Sequence, residues 1–360
     1  MRIIIVKLSA IGDVVHTLPA AALLKNHFPD ARITWVVDPR ASAILKNSPV
    51  IDELIELDTR AVPNELLNGS AHNGFKTQLR KLRDSAKDKG VAPSDIAIDF
   101  QGLLKSGLVA FASGASRRIG FCSEDLRERS SRMFLTEQIE TKQLNHVIEK
   151  NLALARALID SSAQSGKSSA TTSYQYEFPI SIPTEDERFA EEAISNNSGP
   201  FAIINPGGGW RTKLWSVERF AELADWLWSD CALETLVTYG PGEEPLARQV
   251  ASFARSGKVR PQASTLKQFV ALARRAALFV GGDTGPLHLA ASSGTPIVGL
   301  FGPTSPDRNG PFDPLDVTVG RDLWCRTGCH RRSCWHWECM DISVDEVKQA
   351  ALRRLSNGIK

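Results

Sequence analysis

The sequence predicts an α/β protein with two doubly wound domains, because short apolar strands alternate with helical patterns in both halves of the chain. Such alternation implies parallel sheets whose two faces are covered by helices. A length of 360 residues suits two hydrophobic cores better than one. Between the halves, residues 161–173 are rich in Ser, Thr, Gly and Gln, a composition typical of a flexible segment.

Each half is predicted to restart with its own strand. In the first half the predicted strands are 2–7, 33–37, 54–57 and 95–99, and the helices are 20–28 and 75–89. In the second half the strands are 201–205, 235–239, 277–280 and 296–300, and the helices are 217–229, 244–253, 266–276 and one that begins at Pro286. Ligands of such sheets bind beyond the carboxyl ends of the strands, so we expect functional residues in the loops that follow strands.

Composition excludes several classes of function. Hydrophobic residues make up 42% and charged residues 23% of the chain, which is the mixture of a globular protein. No apolar run reaches the roughly 18–20 residues that a bilayer crossing needs, and the apolar stretch 3–6 is too short for a signal peptide, so we expect a cytoplasmic protein. The net charge of +2 argues against bulk nucleic-acid binding.

Basic residues nevertheless cluster in the first half. They are Lys76, Arg80, Lys81, Arg83, Lys87, Lys89, Arg117, Arg118, Arg127, Arg129 and Arg132. Acidic residues are interspersed among them, so the pattern fits either a solvated helix face or an anion-binding face.

The loop after the first strand contains Gly12 and Asp13. Gly12 permits a tight turn or a close backbone approach. Asp13 can cap the following helix, or it can stand at the edge of a cleft and take a proton from a hydroxyl. Pro19 predicts that the helix proper begins near Thr17 or is kinked there.

Three loops of the second half have the composition of an anion site. Residues 281–288 form a glycine turn and a helix start, where backbone N–H groups near Thr284 and Gly285 can bind a diphosphate; a simple capped helix is the alternative. Asp283 is expected to meet sugar hydroxyls or N–H groups, and His288 to be a packed histidine or a weaker candidate for donor binding. In residues 205–215, Gly208 and Gly209 allow close backbone approach, and Lys213 supplies a charge for phosphate.

The third loop, residues 240–244, ends in two glutamates. Either carboxylate can accept hydrogen bonds from both hydroxyls of a ribose, and the alternative is that acidic residues favour the start of a helix. The sequence leaves open whether Glu243 or Glu244 would hold the ribose.

Four of the six cysteines crowd near the C-terminus, at Cys325, Cys329, Cys334 and Cys339, with His330 and His336 among them. These are enough ligands for a four-coordinate metal, but the spacing is not that of paired CxxC knuckles. A packing role is the default, and the sequence leaves metal binding open.

Two motifs resemble those of glycosyltransferase family 9, the ADP-heptose:lipopolysaccharide heptosyltransferases. They are Val6-Lys7-Leu8-Ser9-Ala10-Ile11-Gly12-Asp13-Val14-Val15-His16-Thr17-Leu18-Pro19 and Asp99-Phe100-Gln101-Gly102-Leu103-Leu104-Lys105-Ser106. The second motif is typical of the heptosyltransferase I branch, while the cysteine tail is more common in the heptosyltransferase II branch, so the branch stays open. The likeness extends over nearly the whole chain.

The resemblance implies a GT-B fold and an inverting, metal-independent enzyme that needs no cofactor. It implies transfer of a heptose from ADP-heptose to the Kdo–lipid A inner core of lipopolysaccharide, at the cytoplasmic face of the inner membrane. Asp13 matches the catalytic base. The expected donor-binding residues are Lys213, Asp283, Thr284, Gly285, Gly208, Gly209, Glu243, Glu244 and His288, with Trp215 beside Lys213. The expected acceptor-binding residues are Gly12, Lys7, Gln101, Lys105 and Arg118, and Arg117 is a further cation on that side.

Three other functions compete with this interpretation. A transferase of the same family with another nucleotide sugar or acceptor is the nearest alternative. A nicotinamide dehydrogenase would need a G-x-G-x-x-G turn, which neither half contains. A non-catalytic metal-binding module would rest on the cysteines alone. The expected domains are 1–175 for the acceptor and 176–345 for the nucleotide sugar, followed by a C-terminal helix at 346–360 that could pack back on the first domain.

Overall fold

The computed structural model describes residues 1–58, 95–162, 176–195, 197, 199–325, 329, 331–335 and 337–356. It divides into two compact units, Met1–Ser181 and Ile182–Lys360. The division follows Ser181 rather than residue 175, because the Ser48 hydroxyl donates a hydrogen bond to the Pro179 carbonyl at 2.8 Å and holds that stretch on the first unit. The predicted helix 75–89, its cluster of basic residues, and residues 163–175 lie outside the described residues.

The first unit contains a parallel sheet with the strand order β3-β2-β1-β4-β5-β6. Its strands are β1 Arg2–Val6, β2 Arg32–Val37, β3 Glu53–Glu56, β4 Asp95–Asp99, β5 Arg117–Phe121 and β6 Glu137–Ile139. Its described helices are α1 Ile11–Val15, α2 Leu18–His27, α3 Pro39–Leu45, α4 Leu104–Ala112 and α5 Val147–Ser162, with a 3-10 helix at Arg129–Phe134. All five residues of β1 are buried, as expected of a central parallel strand covered on both faces.

The second unit repeats this plan with the strand order β12-β11-β10-β7-β8-β9. Its strands are β7 Phe201–Asn205, β8 Glu234–Tyr239, β9 Val259–Ala263, β10 Leu278–Gly282, β11 Ile297–Leu300 and β12 Val317–Val319. Its described helices are α6 Thr184–Ile194, α7 Val217–Cys231, α8 Glu244–Phe253, α9 Leu266–Ala273, α10 Gly285–Ser292, α11 Pro306–Asn309 and α12 Val344–Ser356, with 3-10 helices at Arg211–Lys213 and Glu338–Met340. The predicted α/β class with two doubly wound sheets is therefore confirmed.

In each sheet the strand order reverses beside the first strand of the unit. β1 lies between β2 and β4, and β7 lies between β8 and β10. Loops that leave neighbouring strands in opposite directions open a crevice at this point, and ligands of doubly wound sheets bind there. The loops after β1, β4, β7, β8 and β10 are thus the ones that position a site.

The C-terminal helix α12 belongs to the second unit. It packs against α7, β11 and β12, and Val347, Ala350 and Ala351 are buried in the same core as these elements. Arg354 adds an ion pair to Asp316 at 2.8 Å. The described part of the helix therefore belongs to the second unit, whereas the sequence had allowed for packing on the first domain.

Candidate active site

In the crevice of the first unit, the side chain of Gln101 links the loops that follow β4 and β1. The Oε1 atom of Gln101, which follows β4, accepts hydrogen bonds from the backbone N–H groups of Leu8 and Ser9 at 3.1 and 3.3 Å. Leu8 and Ser9 follow β1 and lead directly into α1, which carries Asp13. Gln101, predicted to bind the acceptor, therefore fixes the loop that positions the candidate base.

A buried carboxylate holds Gln101 in turn. Asp99 accepts hydrogen bonds from the N–H groups of Gln101 and Gly102 at 2.9 and 3.1 Å and from the Ser106 hydroxyl at 2.9 Å. Burial raises the pKa of Asp99, although these hydrogen bonds and the charge of Lys7 oppose the shift. The Asp99-to-Ser106 motif is thus a scaffold for the first loop as well as part of the crevice.

Asp13 lies at the crevice with its carboxylate partly accessible, at 17% exposure. Arg127 Nη2 is 3.1 and 3.3 Å from the two carboxylate oxygens, and Lys7 Nζ is 4.0 Å away. One oxygen also accepts the Ala10 N–H at 3.1 Å. This last contact is the carboxylate half of a capping box, so Asp13 stabilises the start of α1 and still presents an oxygen to the crevice.

The turn after Asp13 is held from the far side by α5. The buried Asn151 side chain donates hydrogen bonds to the His16 carbonyl at 3.0 Å and to the Thr17 hydroxyl at 3.1 Å. α2 begins at Leu18 with Pro19 in its first turn, as the sequence predicted. Asp13 is therefore anchored on both sides of its short helix.

The other predicted acceptor residues have different surroundings. Gly12 is buried inside α1, and Lys7 is 2% exposed with its Nζ donating to the Phe100 carbonyl at 2.6 Å. Arg118 donates to the Phe134 and Ala115 carbonyls. Lys105 is exposed. Of these four residues, only Lys105 has an exposed side chain that could meet an anionic acceptor.

Three loops of the second unit converge at the carboxyl ends of β7, β8 and β10, and glycines make their close approach possible. A Cβ on Gly207 would collide with the Glu243 carboxylate, and one on Gly208 would lie 2.8 Å from Thr284 Cγ2. A Cβ on Gly282 would lie 2.9 Å from the Lys213 carbonyl oxygen. The predicted close approach therefore applies to Gly208, whereas a Cβ on Gly209 would meet nothing within 4 Å.

Asp283 is the hub of this second site. Its carboxylate is 2% exposed and lies 2.6 Å from Lys213 Nζ. It also accepts hydrogen bonds from the Thr304 hydroxyl and the Asn309 amide at 2.6 Å and contacts His288 Nε2 at 3.2 Å. Burial would raise the pKa of Asp283, but His288 and then Lys213 hold it well below its usual range. This aspartate is an ionised anchor that fixes Lys213 rather than an exposed ligand.

The start of α10 resembles an anion site more than a capped helix. Thr284 occupies the N-cap position, but its side chain makes no capping hydrogen bond; its hydroxyl donates to the Gly282 carbonyl at 3.3 Å. Pro286 lies in the first turn, as predicted. The N-cap side chain therefore does not close this helix start, and a helix start of this kind can bind an anionic group through its backbone N–H groups.

The two glutamates after β8 differ in direction. Glu243 turns back over Gly207, and its Oε2 accepts the Gly240 N–H at 3.1 Å. Glu244 instead pairs with Arg248, one helical turn along α8. Glu243 therefore faces the converging loops, whereas Glu244 stabilises the helix surface.

The cysteine segment buttresses the loop that carries Lys213. Cys325, Cys329, Cys334 and Cys339 line one small cavity together with Thr212 and Trp337. Thr212 donates a hydrogen bond to the Arg331 carbonyl, and Trp337 Nε1 donates to the Thr212 carbonyl. Burial, followed by the charges of Cys329 and Cys334, raises the pKa of Cys339.

Metal binding by this segment finds no direct support. Within the described ranges, no group of three or more His, Cys, Asp or Glu side chains is arranged to hold a metal ion; His330 and His336 lie outside those ranges.

Trp215, predicted beside Lys213, is buried and donates to the Ile342 carbonyl at 2.9 Å. The hydrogen bonds of Thr212 and Trp215 thus connect the Lys213 loop to the C-terminal segment.

Sequence reasoning missed three residues of these sites. Arg127 was noted only as one of a basic cluster, although it contacts Asp13. Thr304 and Asn309 were not considered, although they follow β11 and so obey the rule that functional side chains come after strands. The run Phe301-Gly302-Pro303-Thr304-Ser305, which turns from apolar to polar after a predicted strand, was the available signal.

Comparison with known proteins agrees with this architecture. Residues 89–336 match the family model of glycosyltransferase family 9 (heptosyltransferase). The chain is 27% identical over 337 residues to lipopolysaccharide heptosyltransferase 1 of Pseudomonas aeruginosa, covering 93% of this chain and 87% of that protein.

Two solved structures share the fold. The glycosyl transferase family 9 protein of Veillonella parvula superposes with a TM-score of 0.78 at 23% identity, covering 99% of this chain and 97% of that chain. The Escherichia coli heptosyltransferase WaaC with ADP superposes with a TM-score of 0.71 at 22% identity, covering 97% and 98%. The family and the GT-B fold that the two motifs implied are thereby confirmed. The chain belongs to glycosyltransferase family 9, the heptosyltransferase family.

Proposed function

We propose that this glycosyltransferase moves a heptose from ADP-heptose to the Kdo–lipid A inner core of lipopolysaccharide, with inversion at the anomeric carbon. The observation that carries the proposal is the convergence of three loops of the second unit around Lys213, Glu243 and the start of α10. These supply a cation, a carboxylate and backbone N–H groups, which are what a nucleoside diphosphate requires.

The donor is held by its charged and hydroxylated parts. The first-turn N–H groups of α10 and Lys213 bind the diphosphate. The Lys213 ammonium donates one hydrogen bond to the backbone carbonyl and one to the carboxylate of Asp283. Its third hydrogen is left for a phosphate oxygen. Glu243 accepts hydrogen bonds from the ribose hydroxyls. His288 stays with Asp283 and acts on the donor only through it.

The chemical step needs one base. An Asp13 oxygen takes the proton of the attacking acceptor hydroxyl, and the hydroxyl oxygen forms a bond to C1 of the heptose. The bond from C1 to the phosphate oxygen breaks, and its electron pair leaves with ADP. Lys213 and the α10 N–H groups stabilise the charge that develops on the diphosphate, so no general acid is required. This is the transferase counterpart of the base step in inverting glycosidases.

Arg127 and Lys105 would meet the anionic acceptor. Arg127 Nη2 contacts both carboxylate oxygens of Asp13. An incoming carboxylate or phosphate competes for this exposed guanidinium and frees an oxygen of Asp13 beside the acceptor hydroxyl. Arg127 is therefore a positioning residue that links acceptor binding to the state of the base.

A donor panel tests the assignment. Purified protein is mixed with ADP-heptose and with UDP-, GDP- and CMP-sugars, and the melting temperature is recorded, because a ligand that binds only the folded state raises it. ADP-heptose is expected to give the largest rise, and mass spectrometry is expected to show one added heptose on a Kdo–lipid A acceptor. A larger rise with another nucleotide sugar, together with transfer of that sugar, would favour the alternative transferase of the same family.

A further inference from the structure

Helix α4 of the first unit exposes an unusual row of apolar side chains. Leu104, Leu108 and Phe111, which lie on one face at helical spacing, are 43%, 38% and 55% exposed, and Met133 of the adjacent 3-10 helix is 72% exposed. We call these four side chains the α4 apolar surface. Surface helices ordinarily place polar residues on the face that points away from the core.

The opposite face of α4 is buried in the core of the first unit. Val109 and Ala110 are 0% exposed and belong to the core cluster under the sheet. α4 is thus apolar on both faces, and burial within this unit does not account for the outer one. Contiguous apolar surface on a folded protein commonly marks a place where it contacts another body.

The 3-10 helix is locked against α4, so the four side chains form one surface. The Phe111 and Phe134 ring centroids are 5.9 Å apart, and a Cβ on Gly107 would lie 2.9 Å from Phe134 Cδ2. Gly107 therefore lets Phe134 pack directly on α4. This packing brings Met133 alongside the helix.

Basic residues neighbour the side chains of the α4 apolar surface. Lys105, Arg129 and Arg132 are exposed, and the Arg118 guanidinium lies 5.5 Å from the centroid of the Phe111 ring. The acidic residue Glu128, which directly precedes Arg129, accepts a hydrogen bond from the Leu104 N–H at 2.6 Å. An apolar strip bordered by basic side chains is what an anionic bilayer binds, through acyl contact and headgroup attraction together.

We propose that the α4 apolar surface and its basic border dock this enzyme onto an anionic lipid bilayer. The proposal rests on the proposed function, because a lipid-anchored acceptor must keep its acyl chains in the bilayer while its sugar reaches Asp13. Arg127, which contacts Asp13, is two residues before Arg129 in the same segment. The docking surface therefore adjoins the candidate base.

A bilayer fits this surface better than a second copy of the chain does. In a symmetric dimer the basic border of one copy would meet that of the other, and like charges brought together oppose association. Anionic headgroups complement the border instead, and Leu, Phe and Met side chains suit the acyl boundary.

The test measures co-sedimentation with vesicles of phosphatidylethanolamine and phosphatidylglycerol, and with vesicles of phosphatidylcholine alone. The full-length wild type is compared with Leu108→Gln/Met133→Gln, with Arg129→Gln/Arg132→Gln, and with the control Leu352→Gln, whose leucine is 43% exposed on α12. We expect the apolar double variant to bind anionic vesicles about tenfold or more weakly. The arginine double variant should lose about fivefold per residue at low salt, and the control should bind like the wild type.

A second measurement separates this proposal from the proposed function. Heptose transfer to a water-soluble, deacylated Kdo acceptor should proceed at the wild-type rate in the apolar variant, and melting temperatures verify folding. Vesicle binding unchanged in both double variants would overturn the docking surface, as would a wild type that ignores anionic vesicles. A concentration-dependent dimer that the apolar variant abolishes would overturn it in favour of self-association. Absence of transfer to the soluble acceptor by the wild type would count against the proposed function instead.

Discussion

Each unit pairs an aspartate with a lysine near the carboxyl ends of its strands, yet the two pairs differ in accessibility. Asp13 follows the central strand β1, is 17% exposed and lies 4.0 Å from Lys7. Asp283 follows β10, beside the central strand β7, is 2% exposed and lies 2.6 Å from Lys213. The first carboxylate contacts an exposed arginine, Arg127, whereas the second is enclosed by four side chains.

This difference separates a partly exposed carboxylate from one that is buried and ionised at neutral pH. A base must reach the proton it abstracts, and Asp13 presents an oxygen to the crevice. Asp283 is buried, and its pKa is held well below its usual range by His288 and Lys213 against the effect of burial. Strand ends of one fold can therefore carry an accessible and a buried carboxylate, and the side chains around each carboxylate decide which it is.

The largest expected effect comes from removing the charge of Asp13. Asp13→Asn should lower kcat by about 10²–10⁴, the usual contribution of a positioned base, and should leave the Kd for ADP unchanged. Steady-state transfer assays and calorimetry check the two quantities. Asp30→Asn, an exposed change in the same unit, is the matched control, and equal losses of kcat and ADP affinity in Asp13→Asn would refute its role as base.

Removing the charge of Asp283 should act on stability. Asp283→Asn leaves Lys213 without its buried partner and should lower the free energy of unfolding by about 3–5 kcal/mol, measured by urea denaturation. The exposed Asp307→Asn is the control, with a change within about 0.5 kcal/mol. Equal stability of the Asp283 and Asp307 variants would show that the hydrogen-bonded hub is not an anchor.

The same comparison has a predicted pH dependence. Because the pKa of Asp283 is lower in the folded state, its stabilisation is complete above the unfolded pKa of about 3.9 and declines as the pH falls towards the folded value. The stability difference between wild type and Asp283→Asn should hold from neutral pH down to that point and shrink below it. A difference that grows in acid would contradict the assigned direction.

The smallest expected effect is on ADP affinity, in variants of the two glutamates after β8. Glu243→Gln should weaken ADP binding by about 10- to 100-fold, since hydrogen bonds to a charged group are worth about 1.5–3 kcal/mol. Glu244→Gln removes only a solvated surface pair with Arg248, which contributes little, and should bind ADP like the wild type. The reverse order in calorimetry would assign the ribose to Glu244.

Much of the fold followed from apolar runs in central strands. β1, β7 and β10 are buried throughout, and their ends were predicted within one residue, except that β10 runs two residues further, through Gly281 and Gly282. The strands β5, β6, β9 and β12 were missed, because each is short or is interrupted by charged, polar or proline residues and so carries no continuous apolar run. Proline is tolerated in β9 because an edge strand leaves N–H groups without a partner in the sheet.

The sites were predicted only where a local pattern pointed to them. Asp13, Lys213 and the start of α10 come shortly after strands, and this position together with the family resemblance indicated them. The contact of Arg127 with Asp13 joins residues 114 positions apart, and no periodicity reports such a pair. The direction of Glu243 depends on the space above Gly207, which is a property of the packed loops.

The most direct test of the assignment is a single-turnover experiment with enzyme in excess and donor already bound. This removes donor binding and product release from the observed rate, so that only acceptor capture and chemistry remain. If Asp13 acts in the chemical step, Asp13→Asn should slow heptose transfer in that single turnover by the same factor as it lowers kcat. A single turnover at the wild-type rate, with only steady-state turnover impaired, would contradict the account and assign Asp13 to product release.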